Sequence, residues 1–89
     1  MKQHFSIRVL GKVQGVGFRY HTRQKAISLQ IYGQVKNHYD GSVLIKAEGE
    51  EENLKLFLDW CKKGPDWARV DQILINEEPV ENVNDFVIC

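Results

Sequence analysis

Long apolar runs are missing from the 89 residues: none approaches the ~20 needed to cross a bilayer, and Met1-Lys2-Gln3-His4 leads into a strand pattern without a signal-peptide core. No membrane association is expected, and a cytoplasmic location is the default. Net charge is also missing, because 12 Lys and Arg balance 12 Asp and Glu and the pI is about 6.8. Without a positive field to gather a phosphodiester backbone, no nucleic-acid partner is expected. Cysteine is scarce. Cys61 and Cys89 lack the C-x-x-C or Cys/His spacing of a metal site, and His4, His21 and His38 are scattered along the chain. Cys61 fits the apolar face of a helix, where a small core residue is expected, and a bridge to Cys89 is disfavoured in a reducing compartment. Repeats, low-complexity segments and linkers are absent, so residues 1–89 read as one domain with room for one sheet and one helical layer.

What is present begins with an alternation. From Phe5 to Val13, Phe5, Ile7, Val9, Gly11 and Val13 alternate with Ser6, Arg8, Leu10 and Lys12, the period of a strand with one buried face. Phe18, Thr22, Ala26 and Leu29 then form one apolar stripe on a helix of about a dozen residues, with Gly33 as its expected stop. Val35 to Tyr39 and Ser42 to Glu48 flank Asp40-Gly41, a strong hairpin signal. Leu54, Phe57, Leu58 and Cys61 mark a second helix, with acids at its start and Lys62-Lys63 and Gly64-Pro65 at its end. The acidic run Glu50-Glu51-Glu52 is thereby explained as helix-start chemistry rather than a metal site.

Trp67 to Asn76 is β-rich, but Ala68 and Val70 share one phase while Ile73 and Ile75 share the other, which calls for a bulge or a change of burial. Glu77-Glu78-Pro79 and Asn82 to Asp85 read as polar turn, and Phe86 to Cys89 as a short final strand at an edge. The order β-α-β-β-α-β plus a terminal strand predicts a ferredoxin-like α+β sandwich: an antiparallel sheet with two helices on one face.

The chemistry concentrates between the first strand and the first helix, at Gly11-Lys12-Val13-Gln14-Gly15-Val16-Gly17-Phe18-Arg19. Glycines allow the chain to turn tightly and approach a ligand closely, and the loop opens onto a helix start, where free N–H groups and the dipole favour an anion. Arg19 adds a permanently charged fork suited to phosphate or carboxylate. In this topology the strand before the hairpin lies one strand beyond the central pair, so Asn37 can approach the loop from the side. Its amide can accept from a water while donating to an oxygen; alternatively, it bonds the hairpin backbone.

Val13-Gln14-Gly15-Val16-Gly17-Phe18-Arg19, Gly33-Gln34-Val35-Lys36-Asn37 with Asp40-Gly41-Ser42-Val43, Ala47-Glu48-Gly49, and Gly64-Pro65 before Ala68-Arg69-Val70 together resemble the acylphosphatases. The resemblance covers nearly the whole chain, in order. It implies hydrolysis of a small-molecule acyl phosphate to a carboxylate and inorganic phosphate, the product also acting as inhibitor, without metal or cofactor and in a monomer. It assigns phosphate binding to Gln14, Gly15, Val16, Gly17, Phe18 and Arg19, and water orientation to Asn37, with Arg19 and Asn37 the catalytic pair. Gln30 and Gln34 depart from the family pattern, which often has glycine and an aromatic at those positions, and Cys89 is an unusual ending. The competing reading is a non-catalytic phosphate-recognition module of the same fold; an RNA-binding domain is disfavoured by the neutral charge.

Overall fold

The computed structural model describes residues 1–89. Seven elements follow in order: β1 (Lys2–Lys12), α1 (Phe18–Ser28), β2 (Tyr32–Asn37), β3 (Val43–Glu50), α2 (Glu51–Lys63), β4 (Arg69–Glu78) and β5 (Phe86–Ile88). The strands form a single sheet in the order β4-β1-β3-β2-β5. Its β1/β3, β1/β4 and β2/β3 pairs are antiparallel. The expected ferredoxin-like sandwich is present with one departure from its antiparallel sheet: β5 runs parallel to β2, with Gly33 opposite Phe86 and Val35 opposite Ile88. β4 and β5 lie at opposite edges of the sheet, and residues 79–85 cross it to join them.

The strand alternation places Ile7 and Val9 of β1 in register with Ile45 and Val43 of β3, all fully buried on the helical side. Phe18, Thr22 and Ala26 of α1 and Leu54, Phe57 and Cys61 of α2 complete the core, with Phe18 and Trp60 rings 5.7 Å apart. Each large apolar side chain removed from water contributes about 1.5–3 kcal/mol. Burial pushes the Cys61 thiol well above its ordinary pKa, leaving a packed neutral group. Cys61 and Cys89 are unbridged.

The phase break in β4 is a bulge. Leu10 pairs with Gln72 and Gly11 with Val70, so Asp71 is the extra residue and Val70, Ile73 and Ile75 return to one face. Gly11 is required there, since a Cβ would collide with the Arg69 carbonyl oxygen.

The stop of α1 differs from expectation. Gly33 lies inside β2; the helix ends where Gln30 adopts a left-handed φ of 56°, with Gln30 N–H donating to Ile27 O (3.2 Å) and Ile31 N–H to Ala26 O (2.8 Å). This is a Schellman closure, which favours glycine where this chain has glutamine. Other boundaries shift by a few residues: β2 begins before Val35 because β5 and β3 both extend its ladder, and β3 runs on through Glu50.

Candidate active site

The loop from Val13 to Gly17 leaves β1 and enters α1 through two left-handed residues, Gly15 (φ 74°) and Gly17 (φ 77°). Gly15 has no atom within 4 Å of where a Cβ would sit, so its requirement for glycine comes from φ and not from crowding. Gly17 caps α1 without a side-chain hydrogen bond, and the first intrahelical bond is His21 N–H to Gly17 O at 3.1 Å. The six backbone N–H groups from Gly15 to Tyr20 therefore donate to no protein acceptor. Together with the positive helix end they form a field suited to a multiply charged oxyanion.

Two side chains complete a cleft of about 240 Å³ over this loop. Gly15, Gly17, Phe18, Arg19, Tyr20, Asn37 and Ile88 all line it. Arg19 is half-buried and pairs with no acidic side chain; its Nη1 donates to the carbonyl oxygen of Cys89 at 3.3 Å, leaving the rest of the fork free. Asn37, the last residue of β2, shares its strand face with Val35 on the helical side, which is how a sheet residue reaches the mouth of a strand-to-helix loop. A larger opening of about 370 Å³ lies beside His21, Trp60, Lys63 and Trp67, but neither Arg19 nor Asn37 lines it.

The alternative use of Asn37, bonding the hairpin backbone, is taken over by other residues. Gln14 Nε2 donates to the carbonyls of His38 (2.7 Å) and Ser42 (2.9 Å), while Asp40 Oδ1 accepts from Ser42 N–H (2.9 Å) and Ser42 Oγ–H (2.5 Å). The Ser42 hydroxyl, then its N–H, hold the Asp40 carboxyl below its ordinary pKa. Asn37 is left exposed and facing the cleft. Of the expected phosphate-binding residues, Gln14 and Val16 do not line the cleft: the Gln14 side chain ties the loop to the hairpin that carries Asn37, and Val16 packs against the core. Gln34 alternates to the opposite face of β2 from Asn37, so it is not a wall of the cleft.

Sequence reasoning missed one wall of the cleft and one buried acid away from it. Ile88 reaches the cleft because β5 lies beside β2, and the parallel pairing has no local signature. Glu48, which alternates with Ala47 of the core along β3, is fully buried beneath residues 79–85 on the face without helices.

A family model described as acylphosphatase matches residues 5–88. The acylphosphatase of Thermotoga maritima is 51% identical over 82 residues, covering 92% of this chain and 91% of that protein. The crystal structure of acylphosphatase from Bacillus subtilis superimposes with a TM-score of 0.95 at 39% identity, covering 100% of this chain and 99% of the other. An acylphosphatase structure from Coxiella burnetii gives a TM-score of 0.95 at 38% identity, covering 99% and 93%.

Proposed function

This chain belongs to the acylphosphatase family and is an enzyme that hydrolyses acyl phosphates, and from that premise we propose that the amides from Gly15 to Arg19 together with the Arg19 guanidinium bind the phosphoryl group while Asn37 orients the attacking water. The observation that carries the reading is the set of uncommitted N–H groups on the loop that lines the same cleft as Arg19 and Asn37. The side chain of Gln14 supports the cradle by fixing the loop against the hairpin.

The geometry suits an in-line displacement. Loop amides and Arg19 take the non-bridging oxygens and neutralise charge as it spreads over them in the transition state. Asn37 accepts a hydrogen bond from water through its Oδ1 and donates through Nδ2, so the nucleophile is held behind phosphorus without a charged base. Water's oxygen bonds to phosphorus as the bond to the acyl oxygen breaks, releasing carboxylate and inorganic phosphate. A carboxylate is a good leaving group, and a phosphoryl oxygen of the substrate takes the water's proton. Inorganic phosphate, fitting the same donors, is a competitive inhibitor.

Arg19 and the amides supply the positive charge that a metal supplies elsewhere, so turnover is metal-independent. Two unbridged cysteines fit a cytoplasmic location, and the chain acts as a monomer. The test is hydrolysis of benzoyl phosphate by the purified protein with and without excess chelator, alongside size-exclusion chromatography. Equal rates from a monomer are expected; a rate abolished by the chelator and restored by a divalent cation contradicts the mechanism.

A further inference from the structure

On the face of the sheet away from the helices, His4 and Glu48 are opposite one another in the β1/β3 register, and both are buried to within 1%. Charged residues are almost never so buried without partners. Here the cover is the crossover from β4 to β5. Glu48 Oε1 accepts the Glu81 N–H at 2.6 Å and lies 3.0 Å from His4 Nδ1, and Glu48 Oε2 accepts the Val83 N–H at 3.1 Å. Asn82, between the two donors, adopts a left-handed φ of 61°, a turn that brings amides on either side of it to one anion. His4 Nε2 has no hydrogen-bond partner, and Glu81 Oε2 lies 3.9 Å from it.

The crossover leads straight to the cleft. Gly33 N–H donates to Asp85 O at 2.8 Å, Arg23 Nε to Phe86 O at 3.0 Å, and Cys89 N–H to Val35 O at 2.9 Å, after which Cys89 O accepts from Arg19 Nη1. Ile88 forms part of the cleft wall. Two residues, Asn84 and Asp85, separate Val83, the last amide held by Glu48, from Phe86 at the start of β5.

We infer that Glu48 is a positioning residue for the phosphate cradle: by clamping the crossover through the Glu81 and Val83 amides it sets β5, and through β5 the placement of Ile88 and the Arg19 fork. This rests on Arg19 being the phosphate ligand proposed above. Glu48 touches neither substrate nor cradle, and its effect is on phosphate affinity rather than on the water-orienting step at Asn37.

The experiment compares wild type, Glu48→Gln and Arg19→Ala by the inhibition constant of inorganic phosphate and by residue-resolved amide exchange. Glu48→Gln replaces one acceptor oxygen with a donor that faces a backbone N–H. Its crossover amides should exchange faster, and its phosphate inhibition constant should rise about fivefold with a smaller change in kcat. Because coupling is reciprocal, saturating phosphate should slow exchange at Glu81 and Val83 in the wild type, a measurement that decides the matter even if Glu48→Gln does not fold. Faster crossover exchange with an unchanged inhibition constant reduces Glu48 to a structural role and overturns the inference. So does unchanged exchange at Glu81 and Val83 in phosphate-saturated wild type. Retention of full phosphate affinity by Arg19→Ala instead overturns the cradle itself, and is distinguishable because it does not depend on Glu48.

Discussion

Two places in this molecule cluster backbone N–H groups outside the regular ladders, and they are finished in opposite ways. At Glu48 the protein provides its own anion, so the amides of Glu81 and Val83 are satisfied and the carboxylate is sealed from water. At the entrance to α1 the amides from Gly15 to Tyr20 have no acceptor, the helix has no side-chain cap, and two left-handed glycines keep the loop open. The first arrangement contributes to stability, whereas the second withholds hydrogen bonds that the fold could have used and keeps them for a ligand. Similar backbone chemistry thus serves as a clamp where a carboxylate fills it and as a binding site where nothing in the chain does.

The comparison is broken most severely at Arg19. Arg19→Ala should lower kcat/KM for benzoyl phosphate roughly a thousandfold and abolish inhibition by phosphate; near-normal turnover in a folded variant contradicts the cradle. Asn37→Ala should reduce kcat about a hundredfold while leaving the phosphate inhibition constant unchanged. Parallel loss of both would move Asn37 from orienting water to binding phosphate.

The filled site is tested through stability. Burial alone raises the Glu48 carboxyl, but the Glu81 N–H, the His4 ring and the Val83 N–H outweigh it and hold the pKa below the ordinary 4.5. A carboxyl depressed on folding contributes stability that is present above its unfolded pKa and is lost as pH falls through the folded one. Glu48→Gln should therefore cost about 2 kcal/mol at neutral pH. Urea unfolding at stepped pH should show the wild type losing its advantage below about pH 4.5. His4 on β1, Glu78 opposite it on β4, Glu81 on the crossover and Tyr32 opposite Glu48 on β2 surround the same site, and parallel curves for wild type and variant would show that Glu48 is not the source of the pH dependence. The smallest effect belongs to Gln30, which sits in the left-handed closure of α1 away from both sites. Gln30→Gly should stabilise the protein by about 1 kcal/mol without changing kcat, and a loss of stability would contradict the strain assigned to that residue.

The sequence exposed what depends on short-range patterning. The stripe Phe18, Thr22, Ala26 and the hairpin at Asp40-Gly41 are local signals, and the broken phase of Val70 and Ile73 announced the bulge at Asp71. Arg19 and Asn37 were legible because topology alone brings a loop after β1 and the end of β2 to one edge of the sheet. What stayed hidden depends on distant pairing. Alternation assigns Glu48 to an outer face, and nothing in residues 43–50 reveals that residues 79–85 return to cover it. The parallel placement of β5 is hidden for the same reason. Gln14 had its place in the motif, but its use as a tether to the carbonyls of His38 and Ser42 needed three dimensions.

The central claim is that the uncommitted amides are the phosphate site, and a titration of isotopically labelled protein with inorganic phosphate, followed amide by amide by NMR, tests it most directly. The account predicts the largest saturable downfield proton shifts at amides within Gly15 to Tyr20, as those N–H groups acquire their first acceptor. Shifts centred elsewhere, with the loop unmoved at saturation, would contradict it.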